Sequence, residues 1–184
     1  RGGTVHALKA VLPTMVCRNP EHEDCRVLLI GSGCSLISWI GYASYAPSKY
    51  AVRGLGEALR NELVGTCVKV HVAYPPDTDT PGFAEEQKTK PQENIAMFPL
   101  DLFKPDLVAR ELLGDMCRAN PPYHLSSPDL GIKLLTSLHV GVTPRWHAIL
   151  DAVAAPLLTL LAGLLPAYMD YVARPYGKRL WKDK

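Results

Sequence analysis

Three residues of the sequence are of types and at spacings that could share one acid–base task. Tyr45 and Lys49 stand four positions apart, and Ser32 precedes the tyrosine by thirteen. On a helix, a spacing of four puts two side chains on one face, with a rise of about 6 Å between their Cα atoms. A phenol with an ordinary pKa of about 10 is a poor acid–base group at neutral pH. An ammonium about 5 Å away, in an effective dielectric of about 20, favours the phenolate by on the order of 3 kcal/mol, or roughly two pKa units. That brings the phenol toward the range of a general acid. A serine hydroxyl at the same point can hold a substrate oxygen in line, which is the positioning part of catalysis. Singly, each residue has an ordinary alternative: tyrosine packing at a helix start, lysine on a solvated face, serine in the turn of Gly31-Ser32-Gly33.

The neighbouring sequence supplies elements that could bring the three together. Arg26 to Ile30 (RVLLI) is a short apolar run bounded by charge and by Gly-Ser, the pattern of a strand buried on both faces. Ser32 follows its end. From Tyr45 to about Leu63 the apolar and small residues keep a helical period, and Pro47 falls in the first turn, where proline is tolerated. A second buried strand is predicted over Val68 to Tyr74. Strand, helix, strand in this order predicts a parallel sheet with right-handed crossovers, whose ligands bind beyond the carboxyl ends of the strands. Pro75-Pro76 stops the second strand by removing two backbone donors in succession. Asp77, Thr78, Asp79 and Thr80 then follow at that carboxyl edge.

Composition narrows the class. With 184 residues, 47% of them hydrophobic, the chain can bury a domain core, and its formal charge of +2 gives no sign of a nucleic-acid partner. The five cysteines are scattered and include no C-x-x-C pair, so neither a zinc site nor a disulfide framework is expected. Gly3 to Met15 reads as an apolar-striped core helix, with Val5, Leu8, Val11, Leu12 and Met15 at helical spacing. A chain opening in mid-helix at Arg1 is expected to be part of a longer one.

The serine, followed thirteen positions later by Tyr45-Ala46-Pro47-Ser48-Lys49, resembles the active-site Ser and Y-x-x-x-K of the short-chain dehydrogenases/reductases. In that family the loop after the second strand reads P-G-x-[I/V]-x-T. Here Pro75 and Thr80 keep its ends, while Pro76 and Thr78 depart from it. With those departures, the run from Ala73 to Pro91 and the preceding AVRGLGEALRNEL resemble the 3-ketodihydrosphingosine reductase branch. The resemblance implies the carboxyl-terminal half of a Rossmann-like, doubly wound parallel α/β fold over residues 1–128. It implies NADPH as cofactor and reduction of 3-ketosphinganine, a long-chain keto-amine lipid, to sphinganine. By it, Tyr45 protonates the ketone, Lys49 lowers the tyrosine pKa and binds the nicotinamide ribose, and Ser32 orients the carbonyl. Thr80 holds the carboxamide, with the backbone of Pro75, Pro76 and Thr78 beneath the ring. The family's glycine-rich pyrophosphate turn has no counterpart in this sequence, because Gly31-Ser32-Gly33 follows the wrong strand. The superfamily also implies a possible homodimer through the Tyr45 helix. Other readings are a membrane-bound steroid or retinoid reductase, or a non-catalytic chain unable to bind a dinucleotide.

Beyond the loop, Phe83 to Lys104 is predicted to be an irregular segment covering the substrate or packing on its own domain. A helix from Pro105 to about Ala119 carries Leu107, Val108, Leu112 and Met116. Residues 129–184 are read as a hydrophobic helical tail. Eighteen uncharged residues separate Asp151 from Asp170, a length that could enter a bilayer, though Pro156 and Pro166 interrupt a straight span. Trp146, Tyr168, Tyr171, Tyr176 and Trp181 suit an interface, and Arg174, Lys178, Arg179, Lys182 and Lys184 a cytosolic side. The expected placement is the endoplasmic-reticulum membrane with the catalytic part facing the cytosol. A buried amphipathic tail is the alternative.

Overall fold

Residues 2–18, 24–97, 101–126, 128–139, 153, 156, 159, 160 and 163–182 are described by a computed structural model. The two apolar runs form parallel strands, β1 (Cys25–Ile30) and β2 (Val68–Ala73), paired from Cys25 with Val68 to Ile30 with Ala73. A third parallel strand, β3 (His124–Leu125), pairs with the end of β2, giving the order β1-β2-β3. Side chains alternate across a strand, so each strand feeds two cores. Val27, Leu29, Val70 and Val72 pack in one cluster with Leu55 and Leu59, whereas Leu28, Ala73 and Leu125 join Val108 and Leu112. Those partners lie on α2 (Ala46–Glu62) and on the helix Pro105–Met116, and both faces of the sheet are thereby covered. The fold is Rossmann-like, as expected.

Burial is uneven. β2 is buried at every position except Lys69, while β1, at one edge of the described sheet, is mostly half-buried and leaves Ile30 50% exposed. The expectation of burial on both faces holds for the middle strand and fails for the edge one. Helix α1 (Gly3–Val16) likewise turns only Leu8, Leu12 and Met15 to the core. Val11 lies at the margin of that stripe and Val5 one turn before its first buried member, and both stay exposed.

The segment predicted to be irregular contains two short helices, α3 (Pro81–Gln87) and α4 (Gln92–Met97). Thr80 starts the first by accepting a hydrogen bond at Oγ1 from the Phe83 N–H (3.1 Å), with Pro81 in the first turn. Helix α5 (Pro105–Met116) ends earlier than expected and buries Val108, Leu112 and Met116, with Leu107 exposed. Helix α6 (Leu130–His139) returns Ile132 and Leu135 to the main core. Helix α7 (Leu164–Lys182) meets α4 through the Arg179–Glu93 ion pair (2.5 Å) and a hydrogen bond from the Tyr168 hydroxyl to the Met97 carbonyl (3.1 Å). Among the described residues, no helix is long and apolar enough to cross a membrane. Seven of the eighteen uncharged residues between Asp151 and Asp170, with Trp146 and Lys184, lie outside the described residues.

Candidate active site

The carboxyl ends of β1 and β2 are locked together before they diverge. The Gly31 N–H donates to the Ala73 carbonyl (2.8 Å), and a Cβ at position 31 would lie 2.9 Å from both that oxygen and Ser35 Oγ. Only glycine fits this approach. Ser32 follows in extended conformation and caps a 3₁₀ turn over Gly33–Ser35, its hydroxyl accepting from the Cys34 N–H (3.2 Å). Ser35, fully buried, ties that turn to α2 by donating to the Lys49 carbonyl (3.0 Å). The serine-bearing turn is thus fastened to the helix that carries the other two residues.

Tyr45 is the N-cap of α2, and Pro47 falls in the helix's first turn, as the sequence predicts. Lys49 Nζ lies 5.5 Å from the centre of the Tyr45 ring and donates to the carbonyls of Gly31 (3.1 Å) and Ile30 (3.4 Å). Burial raises the Tyr45 pKa, a hydrogen bond with Ser32 opposes the rise, and the charges of Cys34, Glu86 and Asp77 add to it. This is the reverse of the lowering expected from Lys49. The ammonium is directed at two backbone carbonyls, and burial lowers its own pKa. Tyr45 therefore holds its proton firmly at neutral pH, which is the form a proton donor needs. The Cys34 thiol, buried, is pushed up to about 11 and is inert as a nucleophile.

Ser32, Tyr45, Pro75 and Pro76 line a cavity of about 420 Å³, closed on the apolar side by Ile132 and Leu135. Thr78 Oγ1 donates to the Pro76 carbonyl (2.8 Å), and the loop is held from outside by Phe103, whose N–H donates to the Asp77 carbonyl (3.0 Å) and whose carbonyl accepts from the Asp79 N–H (2.9 Å). Sequence reasoning brought Ser32, Tyr45, Pro75 and Pro76 to this cavity and missed others. The Tyr42 hydroxyl donates to Glu86 (2.6 Å), which also pairs with the nearly buried Lys90 (2.9 Å), itself placed 4.5 Å from the centre of the Phe83 ring. The Tyr42 pKa is driven far up by burial, so its hydroxyl is a fixed donor. Their signal was the Thr80-Pro81 helix start, which turns Phe83 and Glu86 inward.

Residues 2–91 match the family model described as short chain dehydrogenase. The chain belongs to the short-chain dehydrogenases. The chain is 36% identical over 166 residues to a 3-ketodihydrosphingosine reductase of Dictyostelium discoideum, across 86% of this chain and 46% of that protein. It is 38% identical over 148 residues to a 3-dehydrosphinganine reductase of Danio rerio, across 76% and 43%. It spans a little under half the length of these relatives. A solved short-chain dehydrogenase from Streptomyces avermitilis superposes with a TM-score of 0.52 at 21% identity, over 82% of this chain and 53% of that one, and shows the same fold.

The family implies a nicotinamide dinucleotide, and the residues at this edge fit its nicotinamide end. An ammonium has three N–H donors and Lys49 directs hydrogen bonds at two carbonyls, while the exposed Tyr45 hydroxyl is adjacent, so both can reach ribose hydroxyls. Thr80 accepts a hydrogen bond and keeps its own O–H to give to a carboxamide. Gly33 leaves the cavity wall open, since a Cβ there would meet Ile132 Cδ1 at 2.8 Å.

Proposed function

We propose that the protein reduces 3-ketosphinganine to sphinganine with NADPH, a step of sphingolipid synthesis. The observation that carries this is the convergence of Ser32 and Tyr45 on one strand-end cavity with Lys49 beside the tyrosine ring, in a chain similar to proteins named for that reaction. The bound dinucleotide supplies the hydride to the carbonyl carbon. The Ser32 hydroxyl holds the ketone oxygen, and Tyr45 passes its phenolic proton to that oxygen as it becomes an alkoxide. Lys49 holds the ribose and Thr80 the carboxamide, above the Pro75–Pro76 backbone and Thr78. The tyrosine then regains a proton from solvent.

The same reading places the enzyme at the cytosolic face of the endoplasmic-reticulum membrane, because its substrate is a long-chain lipid. The basic residue Arg174 of the last helix, which is exposed, supports contact with an anionic surface. A homodimer through α2 belongs to the proposal as well. The full-length protein carrying this chain, assayed in vesicles, should oxidise NADPH in dependence on 3-ketosphinganine. Faster turnover of a steroid ketone or retinal, or equal use of NADH, would overturn the assignment of substrate or of cofactor respectively.

A further inference from the structure

We propose that Asp77 selects the substrate by pairing with the ammonium on the carbon next to the ketone. The inference rests on the reductase reading above and concerns how one residue of that site chooses among long-chain ketones. Asp77 lines the same cavity as Ser32 and Tyr45, one residue beyond Pro76. Its carbonyl accepts from the Phe103 N–H and the preceding Pro76 carbonyl accepts from Thr78 Oγ1, so the loop that carries the side chain is held on both sides.

The other acids of this cavity are already engaged or set apart. Glu86 serves Tyr42 and Lys90. Asp129 caps α6, accepting at Oδ1 from the Ile132 N–H (2.9 Å). Asp101, on the segment that leads to Phe103, is exposed, and its charge is not among those that act on Tyr45, as the charges of Asp77 and Glu86 are. Among the described residues, the Asp77 carboxylate forms no hydrogen bond or ion pair. The carboxylate is exposed, partial removal from water already raises its pKa, and a neutral ketone bound over it would strip further water and do nothing to offset that cost.

A 2-amino-3-ketone offsets it. When the ketone oxygen meets Ser32 and Tyr45, the ammonium is held one carbon away, and Asp77 is the cavity carboxylate without a partner there. The pairing has a further effect. The charge of Asp77 helps hold the proton on Tyr45, and an ammonium that neutralises it eases the proton's release as the alkoxide forms. Substrate binding and proton donation are linked through one carboxylate.

The test uses the full-length protein with NADPH, 3-ketosphinganine and the matching long-chain 3-ketone that lacks the amine. The unmodified protein should favour the amino ketone in kcat/KM. Asp77→Asn should lose about ten- to a hundredfold on the amino ketone, the range expected for a charge-assisted hydrogen bond. It should not slow the deaminated ketone, whose turnover holds or rises because the charge that retains the Tyr45 proton is gone, and Asp77→Glu should restore part of the preference. Equal loss on both ketones, or no loss on either, overturns the role of Asp77 while the reductase assignment stands. If the unmodified protein reduces neither ketone, the assignment falls and this inference falls with it.

Discussion

Two tyrosine clusters meet near Gly31, and burial makes one a candidate for chemistry and the other a piece of architecture. Tyr45 is 37% exposed at the cavity, beside Ser32 and Lys49. Tyr74, whose ring would lie 3.4 Å from a Cβ at Gly31, is fully buried and its hydroxyl shares a hydrogen bond with His124 Nδ1 (2.9 Å). Tyrosine beside a base is a recognisable catalytic pairing, and by residue type alone Tyr74 with His124 is as good a candidate as Tyr45 with Lys49. The interior pair, however, has no route to a substrate. Burial pushes the Tyr74 and Tyr123 phenols up and the His124 imidazole down to about 3, so all three stay neutral and serve as hydrogen-bonding and packing groups.

The strongest test of that contrast exchanges the two hydroxyls for hydrogen. Tyr45→Phe should lower kcat by about 10²- to 10⁴-fold, the usual worth of a positioned general acid, with little change in unfolding midpoint. Tyr74→Phe should do the opposite. It removes the hydroxyl that pairs with buried His124 Nδ1, at a cost of about 1–3 kcal/mol in stability, while kcat is retained. Normal turnover by Tyr45→Phe would sink the proposed mechanism, and a catalytic loss in Tyr74→Phe without destabilisation would erase the distinction between the clusters.

The interior cluster also carries a pH dependence of defined sign. The folded pKa of His124 lies near 3 against about 6.5 in an unfolded chain, so between those values the unfolded state binds the extra proton. The stability due to neutral His124 is complete above about pH 6.5 and declines by about 1.4 kcal/mol per pH unit as pH falls toward 3. His71, buried with Nδ1 on the Pro122 carbonyl (2.8 Å), is lowered too and acts in the same direction. Urea midpoints from pH 7 to pH 4 should fall steeply, and His124→Gln should flatten the slope. An unchanged slope in that variant would transfer the effect to His71 and the carboxylates.

Legibility in the sequence follows the same division. Ser32, Tyr45 and Lys49 can be placed because strand ends, helical spacing and first-turn proline are local signals. The strand pair β1–β2 is legible for the same reason. Strand β3 is two residues long and exists only through its pairing with β2, so no periodicity announces it. Helices α3 and α4 span seven and six residues, too few turns for a stripe, although Thr80-Pro81 marks where the first begins. The direction of the Tyr45 shift is not legible, because spacing reveals that Lys49 is near but not which atoms it faces. Gly56 is a similar case. A Cβ on it would come within 2.5 Å of Val72 Cγ2, an intimacy between α2 and β2 that only the packed structure reveals.

Thr80 joins the two kinds of role in one side chain, so the smallest expected effect is also the most discriminating. Its oxygen caps α3 by accepting from Phe83, and its O–H remains for the nicotinamide carboxamide. Thr80→Ala should cost about 1 kcal/mol of stability through the lost cap and should raise the KM for NADPH. Thr80→Ser keeps acceptor and donor and should restore both. Thr80→Asp separates them, because a carboxylate is as good a cap as a hydroxyl yet has no proton to give at neutral pH. Recovery of stability with a KM still raised assigns Thr80 to the cofactor as well as to the helix. Recovery of both leaves it a cap, and the carboxamide must then find its donor elsewhere along Pro75 to Thr78.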